Sequence, residues 1–138
     1  MKTTKRRLAT VAAVLALAAI LVGASCDLFL HPLIKVRIEH FIADLNSDRS
    51  VVYKNLSSTN TSDYNAAKVS SFWDTYFPGT SGYSISNIDD TNFASVTAKI
   101  TGTNGGFGGT KDATFKMFTD GVDYYIQELT LGGTTVVK

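Results

Sequence analysis

From Leu33 to Asn46 the apolar residues Ile34, Ile38, Phe41, Ile42 and Leu45 fall at steps of four, three, one and three, which builds one stripe on a 3.6-residue wheel. Lys35, Arg37, Glu39 and Asp44 fall largely off that stripe, and Pro32 stands where the first turn of a helix tolerates it. The pattern predicts an amphipathic helix over this stretch. A second, shorter helical stretch is expected from Asp48 or Ser50 to Leu56, before the polar break Ser57-Ser58-Thr59-Asn60. A third runs from about Asp63 to Tyr76, with Thr61 or Ser62 as N-cap and Pro78-Gly79 beyond its end. Its apolar positions Ala66, Val69, Phe72, Trp73 and Tyr76 trace one face.

After Pro78 the period changes from helical to alternating. Tyr83 to Ile88 reads as a first strand, followed by the turn signal Asp89-Asp90-Thr91-Asn92. Val96, Ala98 and Ile100 then alternate with Ser95, Thr97, Lys99 and Thr101, as in a strand with one buried face. Gly105-Gly106-Phe107-Gly108-Gly109 predicts a flexible hairpin loop, and Lys111 to Thr119 alternates again through Ala113, Phe115 and Met117. Asp120-Gly121 is a two-residue hairpin signal leading into a strand from Val122 to Leu131. In that strand Val122, Tyr124 and Ile126 share one parity, and Leu129 and Leu131 the other. Either a β-bulge near Gln127 and Glu128 or a strand end buried on both faces accounts for the switch. Val136 and Val137 either extend an edge or trail off.

Two to three helices followed by an antiparallel meander of about four strands predict an α+β domain, with the helices packed on one face of a curved sheet. The amphipathic helix, the break Asn46-Ser47-Asp48, the short helix around Val52-Tyr53-Lys54-Asn55-Leu56 and then Ser57 resemble the small NTF2-like (SnoaL-like, cystatin-like) domains of many bacterial lipoproteins. The resemblance covers nearly all of Leu33 to Leu131. It implies a cone whose mouth holds a ligand or an active site, while leaving the function open.

The chain opens Met1-Lys2-Thr3-Thr4-Lys5-Arg6-Arg7, continues through the uncharged run Leu8 to Ala24, and reaches Val22-Gly23-Ala24-Ser25-Cys26. Basic residues, an apolar core and then small residues are the order of a secretory signal. The segment resembles a bacterial lipoprotein signal, although Gly23 stands where that family's box usually has a branched apolar residue. The resemblance implies that Cys26 is lipidated and becomes the new N-terminus. Cleavage after Ala24 or Ser25, or retention of the leader as an uncleaved anchor, are the alternatives, and all three place the domain outside the cytoplasm. The expected organisation is a signal peptide over 1–25, a lipidated tether over 26–32 and one domain over 33–138. The tether Asp27-Leu28-Phe29-Leu30-His31-Pro32 is short, which holds the domain close to the membrane, and Asp27 resembles the inner-membrane retention signal of enteric lipoproteins.

Four of the thirteen basic residues lie in the leader, and all twelve acids follow it. Nine basic against twelve acidic residues leave the mature part at −3, so a basic nucleic-acid footprint is missing. Cys26 is the one cysteine of the chain, which rules out an intramolecular disulfide.

Candidate chemistry is sparse. Enzymes of the NTF2-like class set a buried carboxylate or His beside a Tyr or a second acid. The corresponding candidates are His40, Tyr53, Tyr124 and Glu128, with Asp44 one helical turn from His40, and Trp73 joins the pocket set as an aromatic with a polar tip suited to a binding mouth. His40 neighbours the helix stripe and is expected at the rim or facing solvent. Glu128 points inward only through the parity switch. His31 and His40 are nine residues apart with no ordered carboxylates between them, and Asp89-Asp90 and Asp120-x-x-Asp123 fit no calcium loop, so neither a metal nor another cofactor is expected. Gly102 to Gly109 lacks the Lys-Ser/Thr of a phosphate loop. The expectation is a lipid-anchored exported protein of the cell envelope, binding a small apolar ligand or an envelope protein and no nucleic acid. An NTF2-like isomerase or dehydratase is the alternative.

Overall fold

The computed structural model describes residues 33–138; the leader, Cys26 and the tether lie outside the described residues. Helix α1 runs over residues 33–47, and a 3-10 helix, Arg49–Asn55, follows. The side chain of Asp48 accepts the Ser50 N–H at 2.9 Å and caps that turn. A second 3-10 turn, Ala66–Lys68, precedes helix α2, Ser70–Tyr76. Five strands then form an antiparallel meander in the order β1-β2-β3-β4-β5: β1 Tyr83–Asp89, β2 Val96–Gly102, β3 Gly109–Thr119, β4 Tyr124–Leu131 and β5 Thr134–Val137. The architecture is α+β, with the helical segments against an open five-stranded sheet. Among the described residues no helix is long and apolar enough to cross a membrane.

The helical stripe is the core face of α1: Ile34, Ile38, Phe41, Ile42 and Leu45 are all buried. The inward residues of the sheet, among them Val96, Ile100, Phe115, Ile126 and Leu129, are buried too. The Phe41 ring stands edge-on to Trp73, Phe77 and Phe115, at centroid distances of 5.5, 6.1 and 6.2 Å, and so joins α1, α2 and β3 in one cluster. Full burial of each such side chain contributes about 1.5–3 kcal/mol. The opposite face of the sheet is polar, with cross-strand pairs Lys99–Asp112, Thr101–Thr110 and Lys116–Glu128 in register.

Several expectations are corrected. The third helix is not continuous. Thr61 and Ser62 do not cap it, because their hydroxyls donate to the carbonyls of Ile126, Gln127 and Lys138 instead. The chain is extended at Val69, and the buried Trp73 indole donates to the Ala67 carbonyl at 2.8 Å, taking an acceptor that a continuous helix would use. Weak helix formers at Val69, Ser70 and Ser71 oppose the break little. The inward residue of the first turn is therefore Ala67, while Ala66 and Val69 are exposed.

The β3–β4 connection has four residues, not two. Strand pairing stops at Thr119↔Tyr124, and Val122 lies in the loop, 84% exposed. Asp120 accepts the N–H groups of Val122 and Asp123, both at 2.9 Å, and closes this longer loop. The glycine-rich loop is pinned by Phe107, which is buried and stacks on Phe77 at 5.9 Å. Val136 and Val137 do form a fifth strand, turned by Gly132 and Gly133, whose φ values of 55° and 82° suit a two-residue hairpin.

The parity switch in β4 is a bulge. Lys116 pairs with Glu128 and Met117 with Ile126, so Gln127 is extra. Tyr124 and Ile126 are buried on one side of it, and Leu129 and Leu131 on the other.

Candidate functional site

The bulge and the segment after the first 3-10 helix build one wall of a cleft. Leu56 bridges to Ile126 in parallel, and the Ser57 N–H donates to the Ile126 carbonyl at 2.9 Å. The Thr61 hydroxyl reaches the Ile126 and Gln127 carbonyls at 3.2 and 3.1 Å. β5 pairs only with residues 129–131 of β4, so this segment occupies the edge that β5 leaves open. The other wall is the cross-strand pair Phe118↔Tyr125 on the last turns of β3 and the first of β4. Between them lies a half-open hollow of about 350 Å³ lined by Leu56, Tyr64, Phe118 and Tyr125, with Lys54, the hydroxyls of Ser57, Ser58 and Thr59, and Asp120 at its polar margin.

Arg37 holds the β4 side of this cleft. It projects from α1, donates through Nε to the Tyr124 carbonyl at 2.7 Å, pairs with Asp123, and lies over the Tyr125 ring at 4.8 Å. Its Nη1 reaches Asn55 at 3.4 Å, and Asn55 in turn donates to Asp44 at 2.7 Å. Tyr64 on the opposite wall is braced edge-on by Tyr53 at 5.6 Å, with the Lys68 ammonium 4.9 Å from its ring. The Asp120 carboxyl is held below the usual aspartate range, first by the N–H of Asp123 and then by that of Val122, so this margin of the cleft is anionic near neutral pH.

The five pocket candidates do not converge. His40 is exposed on α1, and its neighbour Asp44 is engaged by Asn55. Tyr53 is half-buried behind Tyr64. Trp73 is wholly buried in the aromatic cluster. Tyr124 points into the core near Phe93, 6.4 Å between centroids. Glu128 lies on the outer face of the sheet, paired with Lys116 at 3.1 Å, because the bulge turns Leu129 inward and leaves Glu128 outward. No hydrogen bond, ion pair or ring contact joins any two of these five among the described residues.

Sequence reasoning passed over Arg37, Tyr64 and Phe118. Phe118 and Tyr125 become cross-strand neighbours only through the four-residue loop, since a two-residue turn at Asp120-Gly121 would set Phe118 opposite Asp123. Among the described residues no three His, Cys, Asp or Glu side chains gather as metal ligands would. No protein-family model, curated protein or solved structure matches the chain.

Proposed function

We propose that the chain is an exported, lipid-anchored protein of the bacterial cell envelope whose α+β domain, NTF2-like in its order of elements, binds a small ligand or a partner protein at its surface. The basic and apolar leader ending at Cys26 supports the export and the anchor. An amphipathic helix, a break, a short second helix and a following antiparallel meander support the NTF2-like reading.

One observation carries the choice of a surface site. The interior is filled by the rings of Phe41, Trp73, Phe77, Phe107 and Phe115, all at most 1% exposed, whereas the cleft at the Gln127 bulge presents Tyr64, Phe118 and Tyr125 beside polar groups. The buried polar residues of the described domain are Arg49, Asn55, Ser57 and Thr61. That set favours recognition at the rim over acid–base chemistry inside the sheet.

The test is a photo-crosslinking amino acid placed at Phe118 in the producing cell, followed by recovery from detergent-solubilised membranes. An adduct at Phe118 that is missing when the same probe sits at Ser84, on the exposed side of β1, supports the cleft. Adducts at both positions, or at neither, count against it.

A further inference from the structure

We infer that the end of the domain formed by the start of α1, the β1–β2 loop and the β3–β4 loop rests in the headgroup region of the membrane, with Phe93 and Val122 as its inserted side chains. The inference rests on the anchored reading above and adds which face meets the bilayer.

Four contacts gather these segments. Arg37, one helical turn past residue 33, pairs with Asp123 and with the Tyr124 carbonyl. The Phe93 ring is 6.4 Å from that of Tyr124, and the Phe93 carbonyl accepts the Met117 N–H at 2.9 Å. At the other end of α1, Asn46 bonds both the N–H and the carbonyl of Tyr83, at 2.9 and 2.8 Å, which sets residues 79–82 and the β2–β3 loop at the far end of the domain. The chain therefore enters the domain at the Phe93–Val122 end. Six residues lie between Cys26 and Leu33, and the seven Cα steps reach at most about 25 Å when fully extended. A domain of this size has a radius of gyration of about 13 Å, so that reach is less than its span. An acyl chain on Cys26 keeps this end nearest the bilayer.

The end presents large apolar side chains among polar and acidic ones. Val122 is 84% exposed, Phe93 50% and Val36 42%. Both loops turn carboxylates back on themselves. Asp120 accepts the N–H groups of Val122 and Asp123, Asp89 accepts the N–H and hydroxyl of Thr91, and Asp123 is paired with Arg37. The Val122 side chain is left exposed, and the Phe93 ring, tilted against Tyr124, keeps half of its surface open. Interfacial binding grows with the apolar area buried, so two inserted side chains add to the anchor. The acidic balance of the loops suits a zwitterionic surface over an anionic one.

The lone thiol and the lone tryptophan make the test direct. The mature chain is coupled at Cys26 to a maleimide lipid in phosphatidylcholine–phosphatidylethanolamine vesicles containing brominated acyl chains. Trp73 is wholly buried, so the reporter is a second tryptophan in Phe93→Trp, Val122→Trp or, at the far end, Thr80→Trp. Loss and blue shift of emission at Phe93→Trp or Val122→Trp, with Thr80→Trp unchanged, is the expected result. Equal quenching at both ends, or none at either while the coupled protein floats with the vesicles, overturns the docking. Because the coupling is chemical, its outcome is separate from whether cells acylate Cys26, and missing fatty-acid labelling in cells would refute the anchored reading alone.

Discussion

The Thr61 hydroxyl donates to the carbonyl of Gln127 at 3.1 Å, and Gln127 is the residue by which β4 outnumbers β3 at its bulge. A bulged residue drops out of the strand ladder, so its polar groups need partners from elsewhere. Thr61, 6% exposed, supplies one and ties the loop after the first 3-10 helix to the point where the inward face of β4 changes. Thr61→Val keeps the shape and removes the donor. The expected loss is about 1–3 kcal/mol in denaturant unfolding, with Thr61→Ser close to wild type. An unchanged unfolding midpoint for Thr61→Val would refute the coupling.

The change of face in β4 was legible because parity is a local property: Tyr124 and Ile126 lie on one phase and Leu129 and Leu131 on the other, a pattern that a bulge and a strand end buried on both faces fit equally until the pairing around Gln127 decides for the bulge. The α1 stripe was legible for the same reason. The break near Val69 was not, since it depends on the Trp73 indole reaching back to Ala67, and helix periodicity is blind to such a bond. The Gly132-Gly133 turn into β5 went unmarked, and the four residues after it made a weak strand signal. The cleft was hidden for a further reason: Tyr64 and Tyr125 come from distant parts of the chain and line one hollow through the Leu56–Ile126 bridge and the Ser57 and Thr61 bonds beside it. Arg37 fell off the apolar stripe, although its side chain is only 17% exposed in its site beside β4.

Gly102 ends β2 in a space closed by two buried rings. A Cβ there would lie 2.6 Å from Phe107 Cδ1 and 2.8 Å from Tyr83 Cε1. Phe107 also stacks on Phe77, and the Tyr83 hydroxyl donates to the Pro78 carbonyl, so neither ring can withdraw freely. Gly102→Ala should destabilise the domain by about 1–3 kcal/mol through overpacking. Gly105→Ala, with nothing within 4 Å of its Cβ, serves as the control in the same thermal melts.

Arg37→Lys tests whether shape or charge matters at the α1–β4 contact. The planar guanidinium serves the Tyr124 carbonyl, Asp123 and the Tyr125 face together, which an ammonium cannot do. With Asp123 36% exposed, the ion pair itself contributes little, and the bond to the Tyr124 carbonyl matters more. A loss of about 1–2 kcal/mol is expected, with faster amide exchange in the β3–β4 loop. Wild-type stability in Arg37→Lys would reduce the contact to a generic positive charge.

The β3–β4 loop should loosen in acid. The Asp120 carboxyl titrates below its ordinary value because the N–H groups of Asp123 and Val122 hydrogen-bond its ionised form. A depressed folded-state pKa means the contribution is present above the unfolded value and is lost as pH falls through the folded one. The amide resonances of Val122 and Asp123 should therefore hold steady from neutral pH down through the ordinary aspartate range and move only below it. Asp120→Asn should abolish that movement. A midpoint at or above the ordinary aspartate value would show that the loop bonds do not persist in solution.

Cys26→Ser separates the anchor from every property of the folded domain. Lipoprotein processing attaches a lipid through the cysteine sulfur before the signal is cut, and a serine hydroxyl offers no equivalent thiol nucleophile. The variant should lose fatty-acid labelling in the producing cell and accumulate as uncut precursor, heavier by the leader and lighter by the lipid. Its domain should still fold, since the described core, from Ile34 to Val137, lies after this position. If Cys26→Ser instead matures to the wild-type protein mass without label in either chain, an ordinary signal peptidase cuts near Ala24 or Ser25, and the membrane-facing end inferred from the Cys26 tether loses its premise in the cell.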